Sequence, residues 1–443
     1  MNLCRRFMNK VSFLTLGCKV NQYETEAMQE LFKKRGYEIC NENDICDVYV
    51  INTCTVTNLS DRKSRQFISR AKKLNKDAIL AVVGCYSQVA PDEISAIEDV
   101  DVIIGTKNRA RIVELCEESK KSNLKFNIVS ELTKDCGFDV LSIENQESKT
   151  RAYIKIQEGC NMFCTYCIIP YARGPIKSRP IDDIYEEAVK LANNGYKEVI
   201  ITGIHVGSYG LDLGNDTRLI DVIEKLSTIE NLDRIRLSSI EAGIISEDFL
   251  IRLKNCKKVC EHFHLSLQSG CDKILKLMNR RYTADMYRKK VRMIKEIFPN
   301  VALTTDIIVG FPGENDEDFQ ETLNFVKEIG FSKIHVFKYS KRKGTPAFDF
   351  KEQVDGNVKK FRSNELILLA KDMTTEFLKK ELSEKHEVLF EENINGNRLV
   401  GYTRNYIRFS APYNEDMKNK VVYCNGISVE GEEIFGLASK IKI

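Results

Sequence analysis

Between residues 11 and 340 the chain repeats one pattern, a short apolar run followed by a longer amphipathic stretch. Runs at 11–16, 48–51, 79–83 and 102–104 are separated by charged stretches such as 24–35 and 61–73. Short buried runs alternating with helical periodicity imply parallel strands joined by crossover helices, hence an open α/β sheet. The alternation resumes with strand candidates at 153–157, 198–204, 234–239, 262–268, 302–309 and 333–339, and helices such as 181–193 and 284–298. Six such units predict a full or partial β/α barrel, with function at the carboxyl ends of its strands. The polar, aperiodic segment 135–149 marks a boundary between the two patterns. After a helical stretch at 361–382 the period becomes two, at 388–391, 398–409, 420–429 and 433–440, which predicts a small OB-like β-barrel. The expected fold class is therefore α/β in three parts: 1–145 an open parallel α/β domain, 146–378 a partial β/α barrel, and 379–443 a small β-barrel.

Composition narrows the functional classes. No apolar run approaches 18 residues, which argues against a membrane span, and Lys19 follows the short apolar stretch 11–17 too closely for a signal peptide. The 67 basic and 64 acidic side chains leave a net charge of +3, so nucleic acid would have to bind at a local patch. Fifteen cysteines spread along a long chain with no signal peptide point to reduced thiols and metal ligands in the cytoplasm, not to a disulfide framework.

Two cysteine groups stand out. Cys160-Asn-Met-Phe-Cys164-Thr-Tyr-Cys167 places three thiols within eight residues, just after the first barrel strand. Three thiolates on a four-iron cluster leave one iron open for a non-protein ligand, as S-adenosylmethionine (SAM) radical chemistry requires. The competing readings are three buried thiols or a zinc site. Zinc would need a fourth nearby Cys or His, and the next cysteine is Cys256. The second group is Cys18, Cys54 and Cys85, each closing an apolar run, with separations of 36 and 31 residues. Each separation is one βα unit, which aligns the three along one carboxyl edge, where such sheets bind ligands. Small buried thiols at strand ends are the bland alternative. Cys256, Cys260, His262 and His264 look like a zinc set, but Lys257 and Lys258 are poor surroundings for one.

With these residues in place, the chain resembles the radical-SAM methylthiotransferases. Thr-Leu-Gly-Cys18-Lys-Val-Asn-Gln-Tyr-Glu, Asn-Thr-Cys54-Thr-Val-Thr, Gly-Cys85-Tyr-Ser-Gln, the Cys160 group, His-Leu-Ser-Leu-Gln268-Ser-Gly and Asp306-Ile-Ile-Val-Gly-Phe-Pro-Gly occur in order, and the resemblance runs from residue 11 almost to the end. It implies an N-terminal cluster domain, a radical-SAM barrel and a C-terminal TRAM RNA-binding domain. It also implies two 4Fe-4S clusters, SAM as both methyl donor and radical source, and conversion of an adenine C2–H to C–S–CH3. The stretch after Cys18 and Gly-Tyr-Thr-Arg-Asn-Tyr near the end are similar to the tRNA branch acting on N6-threonylcarbamoyladenosine at position 37, beside the anticodon. The implied partners are a tRNA anticodon stem-loop, a reductant such as flavodoxin or ferredoxin, and a sulfur donor. Met1–Asn9 matches nothing in the family. Rival readings are a methylthiotransferase for isopentenyl-adenosine tRNA or a ribosomal protein, and a non-catalytic cluster-bearing RNA-binding protein.

Strand-end positions supply the SAM candidates: Tyr166, between two cluster ligands, then Gly203, Ser238, His264, Gln268 and Asp306. For RNA, residues 338–362 hold eight basic and three acidic side chains, with Lys341, Arg342 and Lys343 adjacent. Arg404, Tyr406 and Arg408 would alternate along one strand of the tail and pair phosphates or stack on a base. A threonylcarbamoyl carboxylate calls for a cation beside the radical centre, and Arg173, six residues past Cys167 on the loop leaving the cluster, is the first candidate.

Overall fold

The computed structural model describes residues 9–55, 58–133, 137–139, 141–143, 150–394 and 396–441. The leader 1–8 and most of the expected boundary at 135–149 lie outside the described residues. The chain divides into two units, one of residues 1–147, 157–163 and 167–179, the other of 148–156, 164–166 and 180–443.

The first unit holds an all-parallel sheet of β1 (Lys10–Thr15), β2 (Glu38–Cys40), β3 (Val48–Thr53), β4 (Ile79–Gly84), β5 (Val102–Ile104) and β6 (Phe126–Asn127), in the order β2-β1-β3-β4-β5-β6. β3 and β4 are buried along their whole length. Successive residues serve opposite faces: Val48, Val50, Ala81 and Val83 join one core, and Tyr49, Ile51, Leu80 and Val82 the other. That two-sided burial is why these strands read as continuous apolar runs. The edge strands β2 and β6, three and two residues long, escaped sequence reading because neither carries such a run. The helix expected at 24–35 begins earlier, at Lys19, with Cys18 extended at its N-cap. Its first turns bury polar Asn21 and Glu24, which hides the amphipathic period.

The partial barrel begins with β7 (Arg151–Glu158), whose last two residues belong to the first unit and pair antiparallel with β8 (Lys177–Ser178). In the second unit follow β9 (Glu198–Gly203), β10 (Arg234–Leu237), β11 (His262–His264), β12 (Ala302–Val309) and β13 (Lys333–Lys338). β9–β10, β11–β12 and β12–β13 pair parallel, and bridges Ile235–Val259 and Ile240–Leu265 join the two sheets. Val199, Ile201, Ile235, Leu237, Phe263, Leu303, Ile307 and Val309 share one core with the surrounding helices. The run expected as a strand at 262–268 stops at His264 in regular form, and Gln268 takes a left-handed φ of +72°.

A 26-residue helix, Gly356–Glu381, leads to a closed barrel of β14 (Lys385–Ile394), β15 (Arg398–Thr403), β16 (Arg408–Pro412), β17 (Val421–Glu430) and β18 (Glu433–Ile441), ordered β14-β15-β16-β18-β17. The single strand expected at 398–409 breaks in two. Tyr406 takes φ +67° and its N–H donates to the Thr403 carbonyl at 3.1 Å, turning the chain back on itself. A buried charge network fixes this barrel within the second unit. Arg236 donates to Glu198 at 2.6 Å and to the Thr403 and Arg404 carbonyls at 3.1 and 3.0 Å. Arg234 donates to the Tyr402 carbonyl at 2.9 Å and the Glu387 carbonyl at 2.7 Å, and Arg151 pairs with Glu391. Among the described residues, no helix is long and apolar enough to cross a membrane.

Candidate functional site

Cys54 and Cys85 are the first residues past β3 and β4, one step beyond the in-register pair Thr53/Gly84. Cys18 follows β1 by three residues. Gly17 makes this turn at φ +116°, and a Cβ there would lie 2.8 Å from Cys54 Cβ, so the two loops meet only because residue 17 has no side chain. Asn21 ties them further, donating to the Leu16 and Thr53 carbonyls at 2.9 Å each. The expected alignment along one sheet edge is therefore what the fold produces. Three cysteine sulfurs presented along one strand edge are a donor set that fits an iron–sulfur cluster with one iron left open. Burial pushes the Cys85 thiol up to about 12, opposed by Arg173. A ligating thiolate here needs the positive charge of a bound metal.

Arg173 ends a short helix, Ile169–Arg173, not a loop, and is buried. Its Nε donates to Cys85 Sγ at 3.1 Å. Nη1 donates to Glu24 Oε1 at 2.6 Å and Glu158 Oε1 at 2.9 Å; Nη2 donates to Asn21 Oδ1 at 2.8 Å and Glu24 Oε2 at 3.1 Å. All five N–H donors of the guanidinium are thus engaged. The expectation that Arg173 clamps a substrate carboxylate is corrected: no donor is left for one. Arg109 backs the same carboxylates, pairing with Glu24 and lying 3.8 Å from Glu158. Asn21, Glu24, Glu158 and Arg109 were not singled out from sequence. The available signal was a pair of polar residues, Asn21 and Glu24, on the helix opening at Cys18.

The second cysteine group follows β7. Cys160 donates its N–H to the Gly174 carbonyl at 3.0 Å, and Asn161 Oδ1 accepts from the Ile176 N–H at 3.2 Å. Within the second unit, Thr165 donates to the Met278 and Leu277 carbonyls at 3.1 and 2.7 Å, and Arg280 Nη1 donates to Cys164 Sγ at 3.3 Å. Arg280 is oriented by Glu241 at 2.5 Å and by the Tyr282 hydroxyl, which accepts from Nε at 3.1 Å. Tyr166 packs edge-on to Phe311, with centroids 6.5 Å apart. Gly203 closes β9 and Ser238 follows β10 directly. Asp306 lies inside β12 instead of at its end. Asp306 and His264 come within 3.2 Å, and His335, paired in register with Asp306, joins them to form a group able to converge on one ligand. His335 was not expected, although β-strand register with Asp306 was the available signal. Gln268 holds a backbone conformation that costs about 1–3 kcal/mol in a non-glycine residue, the kind of strain that gathers at functional sites.

The basic residues divide. Lys341 and Lys343 are exposed, whereas Arg342 between them is buried and so drops out of a surface patch. Arg404, Tyr406 and Arg408 do not share a strand. Arg404 donates to the Lys257 and Val259 carbonyls at 2.8 and 2.5 Å, and Arg408 to Glu433 at 2.8 Å. Tyr406 stacks on Tyr402 at 5.0 Å, lies 4.7 Å from His262 and carries Arg236 at 4.6 Å from its ring centroid. Arg404 and Tyr406 bind the small barrel to the β/α barrel, whereas Arg408 pairs within the small barrel and stays partly exposed, so the three do not form the single strand face expected for RNA. Cys256 and Cys260 are buried and free, and neither joins a metal-type group among the described residues.

A partial β/α barrel with a three-cysteine loop after its first strand defines a radical-SAM protein. The family model described as "Radical SAM superfamily" matches residues 154–326, and that described as "Uncharacterized protein family UPF0004" matches residues 10–105. The fold is similar to that of TsrM, a radical S-adenosylmethionine methyltransferase from Kitasatospora setae with cobalamin and a [4Fe-4S] cluster bound, at a TM-score of 0.58, 13% identity and 77% coverage of each chain. In sequence the chain is 44% identical to the threonylcarbamoyladenosine tRNA methylthiotransferase MtaB of Bacillus subtilis, over 94% of this chain and 93% of the relative. It is 36% identical to a tRNA-2-methylthio-N(6)-dimethylallyladenosine synthase of Alkaliphilus oremlandii, over 96% and 93%. The chain belongs to the radical-SAM methylthiotransferase family, whose cofactors are SAM and 4Fe-4S clusters.

Proposed function

We propose that this chain methylthiolates C2 of N6-threonylcarbamoyladenosine at position 37 of tRNA, with Cys160, Cys164 and Cys167 holding the cluster that binds SAM and Cys18, Cys54 and Cys85 holding a second cluster that delivers sulfur. The observation that carries the reading is the 44% identity over 94% of the chain, with the two family models covering residues 10–105 and 154–326 and so both cysteine groups. An aromatic C2–H is not acidic enough for a side-chain base, and a SAM-ligated cluster supplies a carbon radical able to take that hydrogen. The chain's residues position and insulate. Arg280 steadies the Cys164 sulfur, Tyr166 lines the adenine side of SAM, and Gly203, Ser238, His264, Gln268 and Asp306 present backbone and polar groups at or near the carboxyl ends of the strands. With Arg173 saturated, exposed Lys341 and Lys343, just past β13, are the cations for the anticodon loop and the substrate carboxylate. The C-terminal barrel takes the part of a TRAM domain, and the domains run 1–145, 146–378 and 379–443. A reductant of the flavodoxin or ferredoxin type and a sulfur donor complete the system.

The test is mass analysis of tRNA from a strain lacking the gene and the same strain carrying it. The reading requires 2-methylthio-N6-threonylcarbamoyladenosine to appear with the gene. Appearance only of the methylthiolated dimethylallyl nucleoside would contradict it.

A further inference from the structure

Arg173 is a buried cation whose position the proposed reaction does not yet use. Its guanidinium faces three carboxylate oxygens, one amide oxygen and one sulfur, and the sulfur belongs to Cys85. The carboxylates are shared with a second cation, since Arg109 pairs with Glu24 and lies 3.8 Å from Glu158. The short helix carrying Arg173 packs beside this edge, and the Thr106 hydroxyl donates to the Ala172 carbonyl at 2.8 Å. Only a fork with five donors can satisfy two carboxylates, an amide and a thiolate together; an ammonium on a flexible stem cannot. A hydrogen bond and a positive charge at a ligand sulfur favour the more reduced, more negative cluster and so raise its reduction potential.

We propose that Arg173 is a positioning residue for the cluster at Cys18, Cys54 and Cys85, fixing the Cys85 sulfur through an N–H···S bond and raising that cluster's reduction potential. This rests on the assignment of those three cysteines as cluster ligands. Arg173 also follows Cys167 by six residues, so one short segment carries a thiol of one cysteine group and the cation on the other.

The test uses the full-length Cys160→Ala/Cys164→Ala/Cys167→Ala variant, which removes the other cluster and with it Arg280 as a source of signal. The chain is labelled with nitrogen-15 arginine, reconstituted with iron and sulfide, and reduced. Pulsed EPR of the reduced cluster is expected to show a nitrogen-15 coupling. Adding Arg173→Lys is expected to abolish the coupling and move the potential to a more negative value. No arginine coupling in the chain that keeps Arg173 overturns the proposal, as does an unchanged potential in an Arg173→Lys chain that retains its iron. If Arg173→Lys takes up no iron, the coupling in the Arg173 chain decides alone. Failure of the parent variant to bind iron overturns the ligand assignment and this inference with it.

Discussion

The two cysteine groups reach similar donor sets by opposite routes. Cys160, Cys164 and Cys167 come from one loop of eight residues, so a short peptide carries the whole set. Cys18, Cys54 and Cys85 are separated by 36 and 31 residues, and three strands of a parallel sheet must form before they meet. Each group has an arginine on one sulfur, Arg280 on Cys164 and Arg173 on Cys85. Arg280 is set by one carboxylate and a tyrosine hydroxyl, whereas Arg173 is locked into a network with two carboxylates and a second arginine. A site made by a loop depends on local sequence. A site made by strand ends depends on the integrity of the sheet and of the charges behind it.

The largest effect should come from the loop. Cys160→Ala/Cys164→Ala/Cys167→Ala should abolish reductive SAM cleavage, read as 5′-deoxyadenosine under anaerobic reduction. Residual cleavage at the native rate would mean the loop is not the SAM site. The corresponding change at Cys18, Cys54 and Cys85 should leave cleavage near native and remove methylthiolated product. Loss of cleavage in a folded chain would end the contrast between the groups.

Asn21→Ala sharpens the comparison further, because Asn21 ties the Cys18 and Cys54 loops within the first unit. Removing its two donated bonds and the one it accepts from Arg173 should cost about 1–3 kcal/mol. The loss should appear as iron released from the Cys18, Cys54 and Cys85 group on mild chelation, with SAM cleavage largely retained. Equal loss of iron from both groups would show that Asn21 acts on the whole molecule.

The smallest effect on chemistry belongs to a buried network that holds no ligand sulfur. Burial would raise the Glu198 carboxyl, but Arg236, with Arg151 and Arg234, brings it down to about 2 from the ordinary 4.5. A lowered carboxylate contributes stability that is present above its unfolded value and lost as pH falls through the folded one. Glu198→Gln should therefore lower the melting temperature at neutral pH, and the gap from the native chain should narrow between pH 4.5 and 2. Melts followed by circular dichroism check this. A constant gap across that range would assign the loss to packing alone.

What could be read from sequence divides along the same line. The loop cysteines were legible from spacing, and the strand-end cysteines from counting βα units, because β3 and β4 are apolar throughout. The charges behind Cys85 were not legible, since Glu24, Arg109, Glu158 and Arg173 meet only through the tertiary fold. The charge of Arg173 is legible in the sequence, whereas its buried partners are not. In the tail, alternation of Arg404, Tyr406 and Arg408 suggested a strand face, but a left-handed turn at Tyr406 breaks the period and folds the ring onto Tyr402. A turn at a non-glycine residue leaves little trace in sequence.

Iron bound per chain tests the central claim most directly. Two separate four-iron clusters predict about eight iron atoms in the reconstituted native chain and about four in each triple-alanine variant, with the two losses independent. About four in the native chain, or loss of all iron from either variant, would contradict the claim that each cysteine group holds a cluster of its own.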